Sequence, residues 1–504
     1  MQWLNKVVDE VIAAKPKGQI LIESGGSPSG TYHFGHLREL VICDAILLEL
    51  RRRGRQARHV YYVDDLDALR KIPPNVPAEF EKYLGMPLCD VPAPDGSDQS
   101  YGDYFLEGLI KAANTLGIEV EFIHSHQKYR QGFFVQAIET ALSKSADVKK
   151  ILETISGHKL GEEWSPIQVN EDGYLKKRRF LGIDKRTKTI TYEDKDKKEQ
   201  TISYAKGDVK LDWRIDWPAR WWLLKVNVEP FGRDHSSAGG SYDTGAALAR
   251  KVFGAEPPFP VPYDFVNLAG DTKKMSASKG TGLDAETVIK VLPPEIIRFM
   301  MLQSPPSKRL YFDPIKGVSK QIDKFARLLE NNPQHPVMLY SRAGIKNLVV
   351  SNIPFSLLCE SYQAALKDPS KTIEVIKRTN YGHDLDEKIV KNELKYINQW
   401  LKQWAPEDIK FELREQINSS EFSDTERNFL KSLGQKITSG PADADGEWFH
   451  KAIYDLQDQT GMEPKAMFET LYKALIGKTR GPRAGWFLSI LPRDWLIKRL
   501  KLEA

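Results

Sequence analysis

Cysteine is almost absent. Cys43, Cys89 and Cys359 are the only three in 504 residues. They are odd in number and far apart, so neither a disulfide framework nor a CxxC metal site can be assembled from them. No apolar run reaches the roughly 18 residues of a membrane span; the segment VICDAILLEL is broken by Asp44 and Glu49. The opening MQWLNKVVDEVIAA has no basic-then-apolar leader arrangement and sets Trp3, Val7, Val8 and Ile12 near one helical face. Charge of one sign is scarce as well: 73 Lys plus Arg stand against 68 Asp plus Glu, a net of +5. That excludes a polycation and confines any nucleic-acid surface to a local patch. The chain has no internal repeat and no low-complexity tract. Together these absences imply a cytoplasmic protein in reducing surroundings, with no membrane segment.

What is present is ordinary globular material, 41% hydrophobic and 28% charged. The length suits three or four domains at about 150 residues each. QILIE at 19–23 reads as a strand, followed at once by SGGSPSGTYHFGH. A helical segment, LRELVICDAILLELRRRG, then stops at Gly54, and RHVYYV gives a second strand. Strand, glycine-rich turn, helix, strand predicts a parallel βαβ unit, in which ligands sit at the carboxyl ends of the strands. A helix over 101–116, the strand IEVEFIHSH and a helix around 130–142 extend the pattern. Between about 165 and 212 the texture changes: TKTITYED and EQTISYAK alternate like a hairpin and predict an inserted β-ribbon. The parallel pattern resumes near Trp213 and runs through PYDFVNL to KKMSASKG. From about Pro293 onward strand signals largely vanish, and the remaining residues predict an all-helical region.

Two motifs carry chemistry. The first is Ser27-Pro28-Ser29-Gly30-Thr31-Tyr32-His33-Phe34-Gly35-His36, between a strand and a helix. Its glycines let backbone amides approach a ligand, and the helix N-terminus adds partial positive charge suited to phosphate. His33 and His36 fall on one side of the first turn, where both can donate to phosphate oxygens. Gly35 leaves room for a flat purine. The plainer alternative is that one histidine caps the helix and the glycines make a turn. The second motif is Lys273-Lys274-Met275-Ser276-Ala277-Ser278-Lys279-Gly280. A small, hydroxylated, cationic loop can fold over a triphosphate and neutralise developing charge; taken alone, such a loop is ordinarily solvated surface.

An HxGH turn after the first strand with a KMSxS-type loop after the last resembles the class I aminoacyl-tRNA synthetases. The segments DWRIDWPARW (212–221), EPFGRDH (229–235) and GGSYDTG (239–245) are more particular and are similar to the class I lysyl-tRNA synthetase family, over roughly residues 20–320. LYKALIGKTRGPRAGWFLSIL is similar to the end of the helical anticodon domains of glutamyl and lysyl types. Two departures stand out. Ala277 replaces the second lysine of the KMSKS pattern, and the inserted ribbon, cysteine-rich and zinc-bound in many archaeal relatives, has no cysteine here; no zinc is therefore expected.

The resemblance implies an α/β, Rossmann-like parallel-sheet catalytic domain, with halves at 1–100 and 213–292 around a connective insertion at 101–212. A helical stem-contact region at 293–330 and an all-helical anticodon-binding domain at 331–504 would follow. It implies activation of L-lysine by ATP to lysyl-adenylate and transfer to the 3′-terminal adenosine of tRNA(Lys), usually at the 2′-hydroxyl in this class. By the same resemblance His33, His36, Lys274 and Ser276 are catalytic. Pro28, Gly30, Gly35, Gly232, Asp234, Met275, Ser278 and Lys279 hold ATP, whose phosphates carry Mg²⁺. Gly25, Ser27, Asp64, Asp65, Trp213, His235 and Tyr263 are assigned to lysine, since an ammonium on a four-carbon stem asks for aromatic walls and a carboxylate. The alternative for Asp64 and Asp65 is capping of a helix in LDALRK, and Trp217, Trp221 and Trp222 read as core. Lys176, Lys177, Arg178 and Arg179 of the ribbon, with Lys478, Arg480 and Arg483, are candidate tRNA contacts. A monomer is expected. The competing functional readings are a glutamyl-type class I synthetase and a non-catalytic synthetase paralogue.

Overall fold

The computed structural model describes residues 1–270, 283–383 and 385–503. The chain falls into two compact units. One comprises residues 1–289, 297–312 and 336–346, and the other residues 290–296, 313–335 and 347–504. Among the described residues no helix is long and apolar enough to cross a membrane.

In the first unit, α1 (Gln2–Ala14) buries Leu4, Val8 and Val11. β1 (Ile20–Gly26), α2 (Phe34–Arg52), β2 (Ala57–Val63), α3 (Tyr101–Thr115) and β3 (Glu121–His124) follow. Later come α4 (Ser125–Arg130), α5 (Val135–Ser143) and α6 (Ser145–Ser156). Six short strands succeed them: β4 (Ile167–Glu171), β5 (Tyr174–Lys176), β6 (Arg179–Asp184), β7 (Thr189–Glu193), β8 (Glu199–Ser203) and β9 (Val209–Leu211). The sheet pattern then resumes with α7 (Trp213–Leu224), β10 (Val228–Gly232), α8 (Ser241–Leu248), β11 (Phe259–Tyr263), β12 (Val266–Leu268) and β13 (Leu310–Phe312).

The main sheet has the order β11-β10-β1-β2-β3, and every neighbouring pair in it is parallel. Ile20 to Ser24 of β1 are all buried, as a strand covered on both faces must be, which is why the segment reads as a continuous apolar run. β1 feeds β2 on one side and pairs with β10 on the other. Strand order therefore reverses between β1 and β10, and a crevice opens outside their carboxyl ends.

The insertion holds two small antiparallel sheets, β5-β4-β9 and β6-β7-β8. The anticipated hairpin is β7 and β8, in register from Thr189↔Ser203 to Glu193↔Glu199. Asp194 closes its turn by accepting from the amides of Asp196 and Lys198. Two expectations need correction. β3 belongs to the main sheet, so the first half of the sheet-bearing part runs past residue 100. Strands also do not end before residue 293: β13 pairs in parallel with β12, a three-residue strand too short to leave a periodic trace in the sequence.

The second unit is helical among the described residues. Its longer helices are Gly317–Asn331, Glu387–Gln403, Asp424–Ser439 and Pro464–Ile476. Phe429, Leu433, Met467, Leu471, Phe487 and Leu496 are among the residues of its buried core.

Candidate active site

A cleft of about 420 Å³ lies at the carboxyl ends of β1 and β10. Its first wall is the turn from β1 into α2. His33 is the N-cap of α2: its Nδ1 accepts from the amide of Gly35 at 3.1 Å, and Nδ1 of His36 accepts from the amide of His33 at 3.1 Å. The two imidazoles form a reciprocal cap when each Nδ1 accepts; Nδ1 of His36 also lies 3.3 Å from His33 O, the contact its other tautomer would use. A neutral ring in that arrangement carries its proton on Nε2, the nitrogen suited to donate to a phosphate oxygen. The two rings lie 3.9 Å apart between centroids. The capping reading and the phosphate reading are therefore compatible, because they use different nitrogens. A Cβ on Gly35 would come within 2.9 Å of the His33 ring, so this glycine is required by the cap as well as by any purine.

The basic KMSxS-type loop, with Lys274, Met275, Ser276, Ser278 and Lys279, lies outside the described residues. Its downstream flank does not. Phe34 N–H donates to Leu283 O at 2.9 Å and Ala285 N–H to Tyr32 O at 2.8 Å, bridging His33 to Asp284. The chain thus returns from that loop directly onto the HxGH turn.

The floor is set by close backbone approach. A Cβ on Gly25 would lie 2.5 Å from Tyr62 O, so β1 and β2 fit together only with glycine here. Gly25 N–H donates to Oε1 of Glu39 at 3.1 Å, and Tyr263 O–H donates to Oε2 of the same carboxylate. Burial pushes the Glu39 carboxyl up to about 7, against these two hydrogen bonds. Glu39 lies three residues beyond His36 on the same face of α2 and was not among the residues singled out from the sequence.

Trp213, Trp217 and His235 form the aromatic wall, His235 lying 6.3 Å from Trp213 and 5.5 Å from Trp217 between centroids. Trp217 is buried in the core as expected and also lines the cleft, with Nε1–H donating to Glu229 Oε1 at 2.8 Å. Trp221 is core as expected, 1% exposed.

Behind these walls sits a network of charge. Arg220 reaches Asp64 at 2.6 Å and Glu23 at 3.0 Å, and Lys210 reaches Asp67 at 2.9 Å and Asp216 at 3.3 Å. Burial raises the carboxyls of Glu23 and Asp64, each to about 7, and the positive charge of Arg220 opposes it.

Gly25, Ser27, His33, Gly35, His36, Asp64, Trp213, Gly232, Asp234, His235 and Tyr263 all line this one cleft. Pro28, Gly30 and Asp65 do not. Pro28 and Gly30 are buried behind the turn. Asp65 is 1% exposed and turned toward His124 and His126, because successive residues leaving a strand point to opposite faces. LDALRK forms no helix, so the capping alternative for Asp64 and Asp65 falls away. Of the candidate tRNA cations, Arg178 is held by Glu171 at 2.6 Å, Lys177 by Asp212 at 3.2 Å, and Lys478 donates to the carbonyls of Glu407 and Lys410.

A switch-point cleft with two imidazoles at a helix N-terminus, against which the chain returns at Leu283–Ala285, is the site of a class I aminoacyl-tRNA synthetase. Residues 1–344 match the model of the tRNA synthetases class I (K), and residues 390–503 match an anticodon binding domain. The chain is 36% identical to a lysine–tRNA ligase of Archaeoglobus fulgidus, with 99% of each chain covered. It is 33% identical to lysine–tRNA ligase 1 of Methanosarcina acetivorans, covering 99% of this chain and 98% of the relative. A lysine–tRNA ligase of Thermoplasma volcanium is also 33% identical, with 99% of each covered. The chain belongs to the class I (K) family of tRNA synthetases.

Proposed function

We propose that this chain is a lysine–tRNA ligase that activates L-lysine with ATP and transfers it to tRNA(Lys), and that Glu39 is the carboxylate that receives the lysine ammonium. One observation carries the second half of this reading. Six carboxylates and three cations line the cleft; Arg220 and Lys210 occupy Asp64, Asp67 and Asp216, Glu229 accepts from Trp217 and is buried, and Glu39 meets neutral donors from Gly25 and Tyr263 while staying partly exposed. A carboxylate so held has no cation of its own among these contacts and, once ionised, is left to pair with an incoming ammonium. The acid excess also opposes an anionic side chain such as glutamate, which disfavours the glutamyl reading.

In this arrangement Trp213, Trp217 and His235 flank the aliphatic stem of lysine. The α2 N-terminus and Nε2–H of His33 and His36 stabilise charge on the phosphates as the lysine carboxylate attacks the α-phosphorus and pyrophosphate leaves. By the family resemblance Lys274, Met275, Ser276, Ser278 and Lys279 are assigned to that pyrophosphate, and Gly232 and Asp234 to the ribose. A Cβ on Gly232 would lie 2.6 Å from the Asp234 carboxylate, so glycine lets that carboxylate fold back over β10. Mg²⁺ fits as an ion carried by ATP: among the described residues the cleft offers no convergent set of metal ligands, so phosphate oxygens would hold it. The enzyme is assigned to the cytoplasm, and the helical unit to the anticodon.

ATP–pyrophosphate exchange run separately with each amino acid tests the reading. Exchange with lysine, followed by lysylation of tRNA(Lys), is the expected result. Exchange with glutamate in place of lysine overturns the lysine assignment, and exchange with no amino acid leaves the non-catalytic paralogue.

A further inference from the structure

On the side of the β2 end facing away from the cleft, three side chains of metal-ligand type converge. Asp65 follows β2, His124 ends β3 and His126 lies in the first turn of α4. The parallel register that pairs Val63 with His124 brings Asp65 alongside this junction. Nδ1 of His124 and Nδ1 of His126 each stand 2.6 Å from Oδ2 of Asp65, and the three ligand atoms lie within 4.8 Å of one another. Among the described residues no other group of three His, Cys, Asp or Glu converges in this way.

The geometry around the carboxylate is that of a supported ligand. Its second oxygen, Oδ1, accepts from the Ser125 hydroxyl at 2.9 Å and from the His126 amide at 3.0 Å, which aims Oδ2 at the two imidazoles. Ser125 is itself positioned, since its Oγ accepts from Leu66 N–H at 2.9 Å. Outer partners of this kind hold metal-binding carboxylates in place. The Asp65 side chain is 2% exposed, while those of His124 and His126 are 20% and 16% exposed, so an ion can reach the cluster past the imidazole edges. Asp103, near the start of α3, has Oδ1 3.9 Å from His124 Nδ1 and can supply a further oxygen.

We propose that Asp65, His124 and His126 bind a divalent transition-metal ion, with zinc best suited to the donor set. Two imidazole nitrogens and one carboxylate oxygen suit zinc in a tetrahedral site completed by water or Asp103, and do not suit Mg²⁺ or Ca²⁺, which take oxygens. Ligand atoms on tetrahedral zinc, at bonds of about 2.0–2.1 Å, lie roughly 3.4 Å apart. Loading the site therefore replaces the two imidazole protons that now bridge to Oδ2 and spreads the ligands by a fraction of an ångström. This departs from the expectation of no zinc, which was drawn from the cysteine-free ribbon alone: the cluster uses no cysteine and lies outside that ribbon. A bound ion would tie the end of β2 to the β3–α4 junction and so fix the residue next to Asp64, which lines the cleft.

The test uses full-length protein stripped with a chelator, dialysed against zinc, and analysed for bound metal by mass spectrometry. Affinity is measured by competition with a chromophoric chelator. The expected result is one zinc per chain, a weakening of roughly 10- to 100-fold in the Ser125→Ala variant, and loss of the bound equivalent in the His124→Asn/His126→Asn double variant. Cobalt in place of zinc should give the visible bands of a four-coordinate site in the wild-type chain and lose them in the double variant. Because the two histidines are partly exposed, that variant keeps Asp65 and its Ser125 bond; lysine activation in the absence of zinc confirms that it is folded. A wild-type chain that retains no zinc overturns the proposal, and so does a double variant that retains as much as the wild type.

Discussion

Replacing Glu39 by Gln isolates the charge on which lysine recognition is argued to rest. The amide is nearly isosteric: its oxygen can accept from Gly25 N–H, and its NH2, which cannot accept, can donate to the Tyr263 hydroxyl oxygen once that hydroxyl turns, so the β1–α2 frame is kept. Neutralising one partner of a buried, hydrogen-bonded charge pair costs about 2–5 kcal/mol, or roughly 30- to 5,000-fold in kcat/KM for lysine. ATP binding should be little changed. Burial holds the Glu39 carboxyl near 7, and the ionised form is the one that pairs an ammonium. In the wild type kcat/KM for lysine should therefore fall about tenfold per pH unit below about 7 and level off above it, a limb missing from the Gln variant. The stability effect runs the other way. A carboxyl raised from 4.5 to about 7 on folding favours the folded state at low pH, and that contribution is lost as pH rises from about 4.5 to about 7. At pH 8 the Gln variant should then be the more stable protein, by up to about 3 kcal/mol, with little difference at pH 5. Pyrophosphate exchange at a series of pH values and denaturant unfolding at pH 5 and pH 8 measure both. Unchanged lysine kinetics in the variant, or lower stability at pH 8, would show that Glu39 merely braces Tyr263.

His36→Asn should lower the rate of pyrophosphate exchange about 10²- to 10³-fold while leaving the lysine KM nearly constant; a changed KM with constant kcat would move His36 out of the chemistry. Arg220→Met leaves Asp64 and Glu23 without their shared cation and should cost about 3–5 kcal/mol. The deficit should widen as pH rises from 5 to 8 and both carboxyls ionise, so a pH-independent deficit counts against the network. Ornithine, one methylene shorter, loses about 1–3 kcal/mol in such a pocket and should be activated roughly 10- to 200-fold less well than lysine; rejection beyond about 10⁵-fold would mean that the pocket reads length by other means. Binding of tRNA should weaken steeply with added salt, and a flat titration removes the basic patches from the reading.

The crossover and its turn were legible because β1 is buried on both faces and the glycines beside it have few other uses. Glu39 was hidden in plain periodicity: in LRELVICDAILLEL it passes for the polar side of an amphipathic helix. Its spacing of three from His36, itself three from His33, was the available signal. The pair Asp64 and Asp65 could have been split in advance, since neighbours leaving a strand face opposite ways, but the sequence does not say which one faces the cleft. Trp217 shares a helical face with Trp213 four residues earlier, and so lines the cleft as well as the core. The Asp65, His124 and His126 cluster had no legible spacing, because its carboxylate lies about sixty residues from its imidazoles and meets them through strand pairing alone.

The reciprocal cap at the start of α2 ties assembly to reactivity. An imidazolium cannot accept a hydrogen bond, so protonating His33 breaks its bond from the Gly35 amide and removes the neutral tautomer in one event. Substituting either ring disturbs both functions together. Selection acting on this motif would therefore see a single indivisible part, and loss of turnover at low pH should coincide with fraying at the amino end of that helix.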